Sequence, residues 1–132
     1  MPNGIFQTST AQSCATGAAN TPALLFTAQI PGNSVANGNA LRLVADLDAY
    51  NSGGAPLVCS ATVKLNGVTV RTLDVYEGSD IDVTIWRTGN TQGETRDKAL
   101  QGLSWAGGMA LEVWGTSTQE GGCILQRAGV QR

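Results

Sequence analysis

Acidic side chains gather in two parts of this 132-residue chain. They are Asp46 and Asp48 in one part, and Asp74, Glu77, Asp80 and Asp82 in the other. Several carboxylate and carbonyl oxygens on a bend are the ligands that Ca²⁺ takes in proteins. The alternative, which we favour, is a solvated loop whose charges keep sheet edges from pairing, so no metal site is predicted. Paired carboxylates also hydrolyse glycosides, but nothing in the sequence selects a sugar cleft, and this interpretation ranks last.

The chain contains no histidine, which is the commonest general base and the commonest ligand of transition metals. A serine or cysteine nucleophile would need another activator, and no local motif supplies one. The paired glycines precede strands or loops and not long helices, so they mark turns and do not cradle phosphate. We therefore predict no enzymatic activity and no cofactor.

Three cysteines are present, Cys14, Cys59 and Cys123, and an odd number cannot all pair within one chain. Buried or half-buried thiols in a protein made in a cytoplasm are the simplest interpretation. A bridge from Cys14 to Cys123, formed after release from the cell, is the alternative.

Three tryptophans are the other chemically informative residues. Trp86 and Trp114 alternate with apolar neighbours and are predicted to face outward, while Trp105 lies in a long loop. Outward aromatic rings form subunit interfaces or sugar-stacking platforms, and the alternative is that they pack under the loop. With Ile5 and Phe6 near the amino terminus, these three tryptophans are the candidate interface residues.

The elements that position these residues are strands, because apolar residues alternate with polar ones. In residues 24–50 two alternating runs flank a corner rich in proline, glycine and asparagine. The first run is Leu24, Phe26, Ala28 and Ile30, and the second is Leu41, Leu43, Ala45 and Leu47. A long corner lets the second strand cross to another sheet, as in a β-sandwich or jelly roll.

The pair Asn66 and Gly67, between two further alternating runs, predicts a hairpin with a type I′ turn. In the returning strand the apolar face switches near Arg71 and Thr72, which predicts a bulge or bend. Residues 91–102 break the alternation, and a capping box from Thr91 to Glu94 predicts a short helical turn in a long loop.

Residues 4–10 are predicted to form an edge strand, residues 79–87 and the segment around Met109 further strands, and residues 121–127 a short last strand. The fold class is therefore all-β: an antiparallel β-sandwich, jelly-roll-like, with about eight strands. An immunoglobulin-like sandwich is the alternative, but the positions of the cysteines and tryptophans do not suit it.

The bulk composition indicates one domain, with residues 1–20 as an edge strand and flexible contact segment and residues 21–132 as the jelly roll. Only 14% of residues are charged, and the net charge of −2 offers no positive field for nucleic acid. No apolar run approaches the roughly 20 residues that span a bilayer, so no membrane partner is expected. The amino terminus lacks a signal-peptide pattern, which favours synthesis in a host cytoplasm.

The corner sequence IPGNSVANGNALRLVA, residues 30–45, resembles the start of a jelly-roll module in structural proteins of tailed bacteriophages. The resemblance covers residues 24–76. In that group the module occurs in trimeric fibre heads and in capsid decoration (cement) proteins, and it carries no catalytic residue.

The resemblance implies a non-enzymatic virion structural protein: a capsid decoration protein, forming a homotrimer that binds the major capsid protein or other virion proteins. The alternative is a receptor-binding or carbohydrate-binding module of a fibre or tail, with a glycan as partner. Decoration is favoured over a fibre because the strand pattern begins close to Met1 and leaves no amino-terminal shaft for attachment to a tail. Residues 2–20, which are small and uncharged, are the candidate contact with the capsid or a neighbour.

Overall fold

The computed structural model describes residues 5–9, 14–49, 58–76 and 78–131, with the backbone alone for residues 5–9 and 14–15. Within these ranges the chain forms eleven strands and no helix. The strands are β1 (Ile5–Ser9), β2 (Cys14–Ala15), β3 (Ala23–Ile30), β4 (Ala40–Ala49), β5 (Cys59–Leu65), β6 (Val68–Val75), β7 (Ser79–Arg87), β8 (Gln92–Glu94), β9 (Ala99–Gln101), β10 (Met109–Ser117) and β11 (Cys123–Gln131).

The strands form two antiparallel sheets. A seven-stranded sheet has the order β1-β11-β4-β7-β8-β9, with β2 also paired to β11, and a four-stranded sheet has the order β3-β10-β5-β6. The long strands therefore pair as first with last (β1 with β11), then β3 with β10, β4 with β7, and β5 with β6. This is one long antiparallel hairpin rolled into a two-sheet sandwich, which is jelly-roll topology.

The core lies between the two sheets and is formed mainly by residues that the alternation predicted to face inward. Leu41, Leu43, Ala45 and Leu47 of β4 are all buried. They belong to the seven-stranded sheet, whereas β3 belongs to the four-stranded one. The prediction that the chain crosses between sheets at the corner is confirmed.

Arg87 and the Trp105 segment hold this corner in place. The Arg87 side chain is only 8% exposed, and its guanidinium donates to the carbonyl of Val35 at 2.8 Å and to that of Gly89 at 3.2 Å. A third bond runs from Nη2 to Asn90 Oδ1 at 3.2 Å. The Trp105 carbonyl accepts from the backbone N–H of Asn33 at 2.7 Å. A corner that looks like an unstructured connection is therefore tied to β7 and to the loop after β9.

The hairpin at Asn66 and Gly67 is confirmed, and it forms the tip of the rolled hairpin. Both residues have positive φ, 53° for Asn66 and 77° for Gly67, as a type I′ turn requires. The Asn66 side chain also donates from Nδ2 to the carbonyl of Gly102 at 2.8 Å, which fixes the tip against the loop after β9.

Replacing Gly67 by valine is expected to lower the free energy of unfolding by on the order of 1–2 kcal/mol or more. A Cβ at this position would meet nothing within 4 Å, so the cost comes from forcing a β-branched residue to positive φ. Gly17 is the matched control, because it also has open space but no positive φ. Urea unfolding should show a lower free energy of unfolding for Gly67→Val, and a free energy within about 0.5 kcal/mol of the unchanged protein for Gly17→Val. Equal stabilities of the two variants would contradict the turn geometry.

The predicted change of face in β6 is confirmed as a bulge. The register passes from Thr69 opposite Lys64 to Arg71 opposite Val63, which leaves Val70 as the extra residue. An extra residue reverses the parity of the strand, so Val70 and Val75 both point inward.

The predicted inward position of Leu24 is wrong. A bulge in β3 places Phe26 opposite Val113 and Leu24 opposite Trp114, so Leu25 is the extra residue and enters the core. Leu24 is 43% exposed on the outer face. The space that Leu25 occupies lies over Gly115, where an added Cβ would stand 2.6 Å from Leu25 Cδ1.

The predicted helical turn in residues 91–102 is also wrong, because these residues form the hairpin β8–β9. The Thr95 hydroxyl accepts the N–H groups of Asp97 and Lys98 and closes the tight turn between the two strands. The last strand is longer than predicted. A bulge between Leu125 and Arg127 shifts its parity and conceals the continuation in the sequence.

The predicted total of about eight strands corresponds to the eight strands of five or more residues in the described ranges. The three short strands β2, β8 and β9 had no signal in the sequence. Among the described residues, no helix is long and apolar enough to cross a membrane.

Candidate functional site

The outer face of β4 and β7 carries an ion pair with fixed geometry. Arg42 Nε donates to Asp82 Oδ1 at 2.8 Å, and Arg42 Nη2 donates to Asp82 Oδ2 at 2.6 Å. The hydrogen bond from Arg42 lowers the pKa of Asp82, so this carboxyl is ionised at neutral pH. Because both guanidinium bonds go to one carboxylate, the two side chains hold each other in a single arrangement.

A groove of about 690 Å³ lies beside this pair. Its floor is the outer face of β4 and β7, and its walls are β6 and the turn between β8 and β9. Lys98 Nζ donates to the Thr69 carbonyl at 2.8 Å and so connects the two walls. The volume lies within the roughly 300–1,000 Å³ of small-ligand sites.

Trp86 lies in this groove, at the end of β7, and is 41% exposed. The alternation Ile85 inward, Trp86 outward, Arg87 inward accounts for its position. The indole therefore faces solvent, as the sequence predicted. Thr84 and the Arg42–Asp82 pair lie on the same floor.

Trp114 lies on the other sheet, so the structure does not bring the candidate tryptophans together. It is half-buried on the outer face of the four-stranded sheet, between Leu24 of β3 and Thr62 of β5. Lys64 Nζ lies 5.9 Å from the centroid of its ring, within the range of a cation–π contact.

The assignment of Trp105 to an interface is wrong, because the residue is only 2% exposed and belongs to the core. Its Nε1 donates to the carbonyl of Gln92 at 2.8 Å. Gly93 lies beside the ring and leaves room for Leu103, whose Cδ1 would stand 2.9 Å from an added Cβ. Trp105 therefore packs under the loop, as the alternative interpretation of the sequence predicted.

Ile5 and Phe6 lie on β1, at the edge of the seven-stranded sheet next to β11. Their side chains lie outside the described part of the structure, as do the contacts of Cys14. The role predicted for Ile5 and Phe6 at an interface stays a prediction.

The acidic residues do not converge on one point. Among the described residues no group of three or more His, Cys, Asp or Glu side chains could hold a metal ion. Asp46 pairs with Arg127 at 2.7 Å and also lies opposite Asp80. A hydrogen bond that the protonated Asp80 carboxyl donates to Asp46, together with the negative charge of Asp46, raises the pKa of Asp80. Glu77 lies outside the described residues.

Cys59 and Cys123 are buried free thiols on opposite sheets. Cys59 Sγ donates to the carbonyl of Gly122 at 3.2 Å. Burial, reinforced by Cys59, raises the pKa of the Cys123 thiol to about 12. Since the thiolate is the nucleophilic form, Cys123 is unreactive at neutral pH.

Sequence reasoning missed the arginines of the groove. Arg42, Arg71 and Arg96 come from β4, β6 and the β8–β9 turn, and all three line it. Their separation along the chain conceals the cluster. The outward parity of Arg42 was readable from the alternation and the bulge next to Arg71 was predicted, but the position of Arg96 follows from a hairpin without a sequence signal.

No protein-family model and no curated protein matches this sequence. A solved structure described as the EclA C-terminal domain, a sugar-binding protein, is similar in fold. The TM-score is 0.54, with 5% sequence identity over 92% of this chain and 79% of the other. At this identity the likeness shows a shared fold.

Two further similar structures are of viral origin, one of infectious bursal disease virus, Gt strain, and one of the viral particle of the same virus. Their TM-scores are 0.46 and 0.45, with 17% and 12% identity. They cover 98% of this chain, but this chain covers 33% and 30% of theirs. The chain therefore spans about a third of the length of these viral proteins.

Proposed function

We propose that this chain is a non-enzymatic virion structural protein that decorates a bacteriophage capsid as a homotrimer bound to the major capsid protein. The observation that carries the proposal is the rolled-hairpin topology, whose corner between β3 and β4 resembles in sequence jelly-roll proteins of tailed bacteriophages. In this role the fold is a rigid platform, and the function lies in its outer surfaces.

The outer face of the four-stranded sheet suits contact with another copy of the chain. Trp114 stands between Leu24 and Thr62, and Thr116 follows on the same strand. Aromatic and uncharged residues need little desolvation when they become buried, which favours close packing, and the two charged side chains beside Trp114, Lys64 and Glu112, are of opposite sign. Several symmetric contacts with a shell would add to one another through avidity.

The chemistry of the residues that the structure describes supports the non-enzymatic part of the proposal. The sequence has no histidine. The Cys123 thiol is buried with a raised pKa, and Asp46 and Asp82 are each engaged by an arginine. These groups stabilise the fold and do not form a nucleophile with a base beside it.

The test is binding of the purified chain to empty shells of its own phage from which the decoration has been removed. We expect saturable co-sedimentation, a higher temperature of shell disruption, and a trimer by light scattering. Trp114→Ala should weaken assembly or binding, whereas Tyr76→Ala, at another exposed aromatic residue, should not. Failure of the chain to bind shells would refute decoration, and a monomer would refute the trimer.

A further inference from the structure

The groove beside Trp86 is separate from the face that the proposed function uses. Trp86 and Arg42 lie on the outer side of the seven-stranded sheet, whereas Trp114 and Leu24 lie on the outer side of the four-stranded sheet. Because the two surfaces are on opposite sides of the sandwich, a ligand in the groove does not compete with contacts at Trp114.

Trp86 offers the groove an apolar ring of fixed position. It is at the end of a strand whose neighbouring residues, Ile85 and Arg87, are both buried, so the backbone beneath the indole is anchored. The flat face of an aromatic ring suits the apolar C–H face of a pyranose, since both are rigid and neither needs to give up a hydrogen bond.

The floor next to Trp86 offers fixed polar groups. The Asp82 carboxylate is oriented by two bonds from Arg42, and its oxygens have further lone pairs that accept hydroxyl protons. The Thr84 hydroxyl lies on the same strand between Asp82 and Trp86, and both donates and accepts. The carboxylate, the hydroxyl and the aromatic ring follow one another along the strand at intervals of about 6–7 Å, which suits a chain of polyhydroxylated rings.

The walls of the groove add positive charge. Arg71 stands on β6 and Arg96 on the β8–β9 turn, and both are exposed. Neither is in an ion pair with a carboxylate of the described residues, since the pairs there involve Arg42 and Arg127. Asp97 on the same turn offsets one of these charges. The groove is therefore net positive in a chain whose net charge is −2.

We infer that the groove binds an acidic oligosaccharide, with one pyranose ring on Trp86, hydroxyls of this ring and the next at Thr84 and Asp82, and a carboxylate at Arg71 and Arg96. Guanidinium groups bind carboxylates through paired, charge-assisted hydrogen bonds, and this contact distinguishes an acidic sugar from a neutral one.

The experiment is a glycan array probed with the whole chain, including uronic-acid and sialic-acid glycans next to the same glycans with the carboxylate reduced to an alcohol. We expect binding to acidic glycans and an affinity at least about tenfold lower after reduction, measured by tryptophan fluorescence titration. No bound glycan, or equal affinity for the acidic and reduced forms, would overturn the inference.

Matched variants connect any binding to the groove. Trp86→Ala and Arg71→Ala should each weaken the acidic glycan at least about tenfold, and both residues are exposed, so folding should be preserved. Trp114→Ala should bind the glycan normally. Full glycan binding by Trp86→Ala would overturn the inference. If Trp86→Ala also fails to bind empty shells, the groove contacts the shell. This result would overturn the saccharide inference but would leave the decoration proposal intact.

Discussion

Replacing Trp105 by alanine is expected to lower the free energy of unfolding by about 3–5 kcal/mol, because it removes the largest buried side chain and leaves a cavity. The indole packs near Gly93 and Leu103, and its Nε1 donates to the Gln92 carbonyl. Its own carbonyl holds Asn33 in the corner. The variant should therefore loosen both the β8–β9 hairpin and the corner.

The measurement is urea unfolding followed by circular dichroism, with two controls. Trp86→Ala removes the same side chain from an exposed position and should cost less than about 1 kcal/mol. Trp105→Phe keeps most of the ring volume but removes Nε1, and should cost about 1–2 kcal/mol. The Gln92 carbonyl still accepts from the N–H of Thr88, which limits that loss. Similar costs for the alanine variants of Trp105 and Trp86 would contradict the buried position of Trp105.

Replacing Arg87 by alanine is expected to cost about 2–4 kcal/mol. The guanidinium is buried, and its three hydrogen bonds to Val35, Gly89 and Asn90 connect the corner to the start of the β8–β9 hairpin. Without the guanidinium, the buried Val35 carbonyl loses its charged hydrogen-bond donor, and little water can reach the carbonyl to replace it. Hydrogen exchange should show faster opening of the corner than of the β5–β6 hairpin.

Two substitutions separate charge from geometry at Arg87. Arg87→Lys keeps the positive charge, but one ammonium cannot reproduce the planar fork that reaches three acceptors, so roughly 1–3 kcal/mol should still be lost. Arg71→Ala, at an exposed arginine on the β6 wall of the groove, should change the free energy of unfolding by less than about 0.5 kcal/mol. If Arg87→Ala unfolds at the same urea concentration as Arg71→Ala, the corner is held by other contacts.

Local patterns in the sequence predicted the features that depend on neighbouring residues alone. The alternation in Leu41, Leu43, Ala45 and Leu47 identified a half-buried strand, because side chains on an extended backbone point to opposite faces in turn. Asn66 and Gly67 identified the hairpin tip, because few residues tolerate positive φ in succession. The change of parity in β6 similarly predicted the bulge that the structure has at Val70.

The errors fall where a distant contact overrides a local pattern. Leu24 and Leu25 are both apolar, and only the register with β10 and the space over Gly115 decide which one is buried. Residues 91–102 carry a helix-start pattern, but pairing of β8 with β7 satisfies their backbone groups in a sheet instead. Trp105 lies among glycines, as a surface loop residue would, and only the distant strand β8 supplies the Gln92 carbonyl that its buried Nε1 needs.

The sequence by itself determined a two-sheet β fold and a composition without histidine, because period-two alternation, turn chemistry and residue type are properties of short segments and of composition. The tertiary structure alone decided which outward residues meet. Arg42, Arg71, Trp86 and Arg96 form one groove because β4, β6, β7 and the β8–β9 turn come together only when the long hairpin rolls up. That assembly depends on long-range strand pairing and on bulges, whose free energy is set by packing between segments far apart in the chain.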